Sequence, residues 1–172
     1  MRLMVAAVVA LALVMAAPPR GGAQVVPGGV LPAGAGADLL RVHNSARAAV
    51  GVPPLRWDDA LAASALECAR SLAASGQFAH CRLGENLWMG ATGRFSPTSM
   101  AERWAEERRF FQPGLFPEVS TSGRWQDVGH YTQMVWRSTT ALGCGAAAGA
   151  DGRTRLVCHY APPGNKDGRP VF

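Results

Sequence analysis

Two N-terminal stretches carry apolar residues at helical spacing. In the first, Leu39, Val42, Ala46, Ala49 and Val50 fall on one face, Asp38 stands where a cap belongs, and Gly51 follows the last turn. This predicts a helix over residues 38–50. The second repeats the spacing with Leu61, Ala65, Cys68, Ala69 and Leu72, capped by Asp58 or Asp59 and ended by Gly76. Pro53 and Pro54 exclude helix between them. Residues 85–90 (ENLWMG) fit a short strand with Leu87 and Met89 as its apolar positions. Ser96-Pro97 is a serine cap followed by proline at the first helical position, and it starts a third helix to about Phe110. That helix presents Met100 and Trp104 on its face, and Glu107 and Arg108 one turn on. Proline and glycine break residues 111–126 into a long loop, after which Asp127 is placed to cap a short helix through Trp136. Strands over 141–148 and 154–160 flank Ala150-Asp151-Gly152-Arg153, and Asp-Gly is a hairpin turn. Helices and strands interleave without the regular alternation of a doubly wound sheet. The expected class is α+β, helices covering a small, mostly antiparallel sheet.

The N-terminus changes the compartment. Leu3 to Ala17 is an uncharged run of fifteen residues behind Arg2, stopped by Pro18, Pro19 and Arg20. A membrane-spanning helix needs ~20 apolar residues. Residues 1–23 therefore fit a secretory signal peptide cut near Ala17 or Ala23, with an uncleaved anchor as the alternative. Residues 24–37 fit a flexible Pro/Gly/Ala spacer, and residues 38–172 the domain. The expected location is secreted or periplasmic, with no stable membrane span after cleavage. The formal charge is +5, and cleavage removes Arg2 and Arg20. The remaining charge is small and scattered, which argues against a nucleic-acid partner. An apolar share of 48% against 17% charged excludes a disordered chain. The Ala/Gly/Arg-heavy composition and single lysine lean towards a bacterial source.

Four cysteines, Cys68, Cys81, Cys144 and Cys158, suit an exported chain with two disulfides, for which three connectivities exist. The spacing favours the local pairs Cys68–Cys81 and Cys144–Cys158. A four-cysteine zinc site is the competing reading, weakened by the lack of a C-x2-C pair. Among the histidines, His80 lies five residues before Glu85, and His130 opens a short helix, where the dipole favours neutral imidazole. Glu106 and Glu107 end the polar face of the third helix. His43 is expected to be structural, and strand alternation puts His159 at the surface. The five tryptophans are expected to pack. Phe110, Phe111, Leu115 and Phe116 are either an apolar flap or part of the core. No serine nucleophile elbow is present, and a disulfide is the better use of Cys81 than a thiol nucleophile. Spacing alone carries no function here.

Longer motifs do. HNSAR at 43–47, GVPPLRWDDALA at 51–62, HCRLGENLWMG at 80–90, WAEE at 104–107, GHYTQMVWRST at 129–139 and VCHYAPPGN at 157–165 stand in order. Together they resemble the CAP superfamily, the group of cysteine-rich secretory, antigen 5 and pathogenesis-related 1 proteins, also called the SCP domain. The resemblance covers residues 39–172. It implies a three-layer α-β-α sandwich and a cleft lined by His80, Glu85, Glu107 and His130. In some relatives the two histidines bind zinc or another divalent ion, others bind sterols or fatty acids, and a few have been proposed to be proteases. Cys144–Cys158 matches a bridge common in the family. Cys81 stands where relatives often have serine, which points to a Cys68–Cys81 bridge holding the His80 loop. The cysteine-rich extension of the venom and sperm proteins is missing. The resemblance thus implies a binding module for a small hydrophobic or peptidic ligand, with His80 and His130 as metal ligands. The alternative is a metal-assisted hydrolase in which Glu85 or Glu107 is the general base. A third reading is a structural or signalling domain recognised by a partner.

Overall fold

The structure is a computed structural model and describes residues 31–172. The expected leader lies outside them. The chain forms α1 (Ala35–Ala48), β1 (Arg56–Trp57), α2 (Asp59–Ser75), β2 (Glu85–Ala91), α3 (Pro97–Glu106), α4 (Gly129–Met134), β3 (Ala141–Ala148) and β4 (Arg153–Ala161). Short 3-10 turns occupy Glu107–Phe110 and Trp125–Asp127. The sheet order is β1-β3-β4-β2, with β1 parallel to β3 and the other two pairings antiparallel.

Local chemistry explains most boundaries. Asp58 accepts the backbone N–H of Leu61 and Ser96 that of Ser99, so both expected caps form. Gly76 ends α2 at a φ of 72°. Two boundaries differ from expectation. α1 begins at Ala35, ahead of Asp38, whose carboxylate pairs with Arg41 instead. Asp127 caps nothing on α4 and accepts from the Ser122 hydroxyl.

The sheet is covered on both faces. Leu142, Cys144 and Ala146 of β3 and Leu156, Cys158 and Tyr160 of β4 join a core with Leu39, Met100, Trp104 and Met134 of α1, α3 and α4. The alternate residues face α2, where Val157 and Ala147 meet Ala65, Ala69 and Leu72. This is the α+β, three-layer arrangement. α2 lies so close to β3 that a Cβ on Gly143 would come within 2.2 Å of the Ala62 nitrogen, and one on Gly145 within 2.3 Å of the Leu66 Cα. The loop expected at 111–126 divides. Phe116 is buried against Trp136, and Phe111 packs on Tyr131 and Phe172, whereas Phe110 and Leu115 remain exposed.

Both local disulfides form, Cys68–Cys81 and Cys144–Cys158, leaving no free cysteine. The first ties α2 to the turn that leads into β2. The second lies across the β3–β4 pairing.

Candidate functional site

Glu85 opens β2 and stands directly across from His159 on β4. Its side chain is fully buried. One carboxylate oxygen, Oε2, accepts from His159 Nε2–H at 3.0 Å, and the other, Oε1, from His80 Nδ1–H at 2.8 Å. The Cys81 N–H reaches both oxygens at 3.2 and 3.3 Å. Burial alone would raise the Glu85 pKa. The hydrogen bonds from His159, His80 and Cys81 outweigh it and hold the carboxyl below its ordinary range. The Glu85 hydrogen bond in turn raises the pKa of His80, whose side chain is 60% exposed. The turn before β2 needs Gly84, which has a φ of 68° and sits where a Cβ would lie 2.9 Å from Pro163 Cβ.

His159 is a correction to the sequence reading. It is 1% exposed, because β4 lies between two strands and under helices on both faces, so alternation does not bring it to solvent. Its Nδ1 is buried without a hydrogen-bond partner. The carboxylate can only accept, so the His159 proton sits on Nε2.

The second pair is built differently. Glu107 begins the 3-10 turn after α3, and its Oε1 accepts from His130 Nδ1–H at 2.6 Å. Its Oε2 accepts the backbone N–H groups of His130 and Tyr131 at 3.0 and 3.1 Å. α4 has no capping side chain of its own, and Glu107 supplies that role from another element. The His130 ring stacks on Trp104 at 5.7 Å with a 17° interplanar angle. Glu106 does not join the site and pairs with Arg103 on the surface.

A buried network lies between the pairs. Asn86 donates to the His130 carbonyl and to the Tyr160 hydroxyl, both at 3.0 Å. The Tyr160 hydroxyl donates to His43 Nε2 at 2.7 Å, because His43 Nδ1–H is committed to the Leu39 carbonyl. Burial lowers the His43 pKa to about 4, so this ring is neutral at ordinary pH. His43 is structural, as expected. Arg47 on the same helix donates to five backbone carbonyls, among them Met134 and Trp136 beside the end of α4.

Both cleft imidazoles thus give their Nδ1–H to a carboxylate and keep Nε2 as the atom open to a ligand. This is the orientation that suits an imidazole for metal binding. The tetrad does not condense into one cage. Among the described residues, the one set of three or more ligand atoms within 4.8 Å of each other is Cys68, Cys81 and Glu85, with both sulfurs in a disulfide. Two larger hollows flank the tetrad residues in sequence. One of about 770 Å³ is lined by Leu83, Phe116, Pro117, Trp125, Gln133 and Pro163, among others. Another of about 660 Å³ lies between α1 and α3. Neither is lined by a tetrad residue.

The sequence matches the Cysteine-rich secretory protein family over residues 40–160. It is 38% identical to pathogenesis-related protein 1A of Nicotiana tabacum over 137 residues, 78% of this chain and 79% of that protein. The compositional lean towards a bacterial source finds no support in this plant relative. The fold is similar to the structure of BmVAL-1 with a TM-score of 0.68 and 24% identity, covering 85% of each chain. It is also similar to a crystal structure of NaASP2 with Zn2+, with a TM-score of 0.64 and 24% identity over 91% of this chain and 90% of that one. With the fold and the sequence match in agreement, the chain belongs to the cysteine-rich secretory protein (CAP) family.

Proposed function

We propose that this chain is a secreted CAP-domain binding module. Its His/Glu cleft holds a divalent cation of the zinc type on the Nε2 atoms of His80 and His130, and the neighbouring cavity takes a small hydrophobic or peptidic ligand. The observation that carries the reading is the double anchoring of the imidazoles: each Nδ1–H is fixed by a glutamate, so each Nε2 is presented with its lone pair. Two imidazoles without a third protein ligand make an exchangeable site whose remaining positions go to water or ligand. NaASP2, similar in fold, crystallised with Zn2+, which supports the choice of ion. For the ligand, the cavity walled by Leu83, Phe116 and Trp125 offers apolar contact, and Gln133, Asn165 and Lys166 offer polar contact. Export is supported by the two disulfides; among the described residues no helix is long and apolar enough to cross a membrane.

The hydrolase reading is less favoured. A general base needs a carboxylate free to take a proton from water. Glu85 is committed to two imidazoles and an N–H, and Glu107 to one imidazole and two N–H groups. Zinc titration by calorimetry tests the proposal. The oxidised wild type should bind one ion, and His80→Ala/His130→Ala, with its fold checked by circular dichroism, should not. No binding by the wild type, or the same binding by the double variant, would remove the metal from the proposal.

A further inference from the structure

The third ligand-competent cluster involves the bridge beside Glu85. Cys68 Sγ lies 3.5 Å from Glu85 Oε2. A disulfide sulfur has no proton to donate, so this contact is sulfur lone pair against carboxylate. Cys68, Cys81 and Glu85 keep their ligand atoms within 4.8 Å of one another. Both sulfur-bearing residues line a surface depression of about 260 Å³ together with His159, Glu67 and Arg82. Cys81 is exposed, so a reductant and a hydrated ion have access. We propose that the Cys68–Cys81 bridge is a redox-gated metal site: on reduction, Cys68, Cys81 and Glu85 bind a thiophilic divalent cation such as Zn2+, with water in the fourth position.

The backbone can accept this. Two thiolates on a tetrahedral zinc sit about 3.8 Å apart, from Zn–S bonds of about 2.3 Å. Cys68 and Cys81 have their Cα atoms 6.2 Å apart, and Cys81 is on an irregular turn, so side-chain rotation can part the sulfurs. The carboxylate is already set: His80 and His159 donate to it and remain as its outer partners, the arrangement that orients metal-bound carboxylates. The other bridge is the internal control. Cys144 and Cys158 have Cα atoms 4.1 Å apart across paired strands, are buried, and have no third donor within 4.8 Å among the described residues.

The gating step balances with a dithiol as reductant. One of its thiolates attacks a bridge sulfur, and its second closes an intramolecular disulfide. Two electrons and two protons pass to Cys68 and Cys81. Metal binding then releases both thiol protons to solvent.

The test uses the full chain reduced with a phosphine, which does not compete for metal. Mass spectrometry after alkylation confirms that only Cys68 and Cys81 are open. Co2+ is the probe, because thiolate ligation gives a near-ultraviolet charge-transfer band. The expected result is one Co2+ more per reduced chain than per oxidised chain, with that band, displaced by Zn2+, and no band in the oxidised chain. Glu85→Gln should weaken Co2+ binding at least about tenfold, and Cys68→Ser/Cys81→Ser should abolish the band. His130→Ala, which leaves every partner of Glu85 in place, should keep the band while weakening the ion of the oxidised cleft, so the two sites fail separately. A folded, reduced chain without the band overturns the proposal, as does a band that survives the double serine variant. Loss of the circular dichroism signature on reducing this one bridge overturns it equally.

Discussion

The two halves of the cleft solve one problem in two ways. In each, a glutamate takes an imidazole Nδ1–H and at least one backbone N–H. Glu85 does so from a strand, fully buried, with a second imidazole behind it. Glu107 does so from the turn after α3, partly in solvent, and doubles as the cap of α4. The imidazoles differ in the opposite sense. His80 is held by Glu85 on an exposed turn, whereas His130 starts a helix and stacks on Trp104. In both pairs the glutamate fixes the imidazole Nδ1–H, but the rigid partner differs. The His80 half places its rigidity in the buried carboxylate, and the His130 half places it in helix and indole.

Removing the two carboxylates should separate these designs most sharply. Glu85→Ala leaves His159 Nε2–H buried without an acceptor and takes away the partner of the Cys81 N–H. Leaving a buried donor without its acceptor costs about 1–3 kcal/mol for each group. Glu107→Ala frees groups that water can reach, and losing a cap costs about 1 kcal/mol. Urea unfolding of both variants at pH 7 should show that order. Equal losses would mean that burial of Glu85 does not distinguish the halves.

The buried network joining the halves gives the next effect. His43 has a folded pKa of about 4 against an unfolded value of 6.5. The unfolded chain binds the extra proton first as pH falls, so this group's stability is intact above pH 6.5 and is lost between there and about 4. At about 1.4 kcal/mol per unit, the loss approaches about 3 kcal/mol. Urea titrations at pH 7 and pH 4.5 should show the fall. His43→Gln should flatten its slope, and an unchanged slope would place the acid sensitivity elsewhere.

The same contrast separates what the sequence carries from what it does not. Asp58, Ser96-Pro97 and the Asp151-Gly152 hairpin act through neighbours in the chain, so their elements are legible locally. The family motifs point to His80, Glu85, Glu107 and His130, and the structure brings each histidine onto its glutamate. β1 is not legible: it is two residues long and exists because it pairs with β3, far along the chain. Glu107 as cap of α4 joins residues 23 and 24 positions apart, so Asp127 is the nearer but wrong choice. His159 escapes sequence reasoning for a topological reason. Its sequence neighbours predict alternation, but the central place of β4, covered on both faces, decides burial. The signal that could have found it is Cys144–Cys158: pairing β3 with β4 at that bridge leaves His159 one residue along, facing α2.

The smallest effect sharpens the difference between the imidazoles. His130→Ala removes a ring from the Trp104 face, and such a stack is worth about 0.5–1.5 kcal/mol beyond its area. His80→Ala removes an exposed partner of a carboxylate that keeps two other donors. Exposure of 60% screens the pair, so its contribution stays below about 1 kcal/mol. Its pH dependence has a definite sign. The His80 pKa is raised in the fold, so the charged pair stabilises fully below the unfolded value of 6.5 and loses that contribution as pH rises through the raised folded value. The stability gap between wild type and His80→Ala should therefore be larger at pH 5.5 than at pH 8.5. The His80 ring resonances followed by NMR should titrate above those of a free histidine in wild type and fall back in Glu85→Gln. A His80 that titrates normally in both would mean that the 2.8 Å contact with Glu85 does not hold the turn in solution. The rigid carboxylate would then present no fixed imidazole, and the asymmetry between the halves would be one of function as well as of construction.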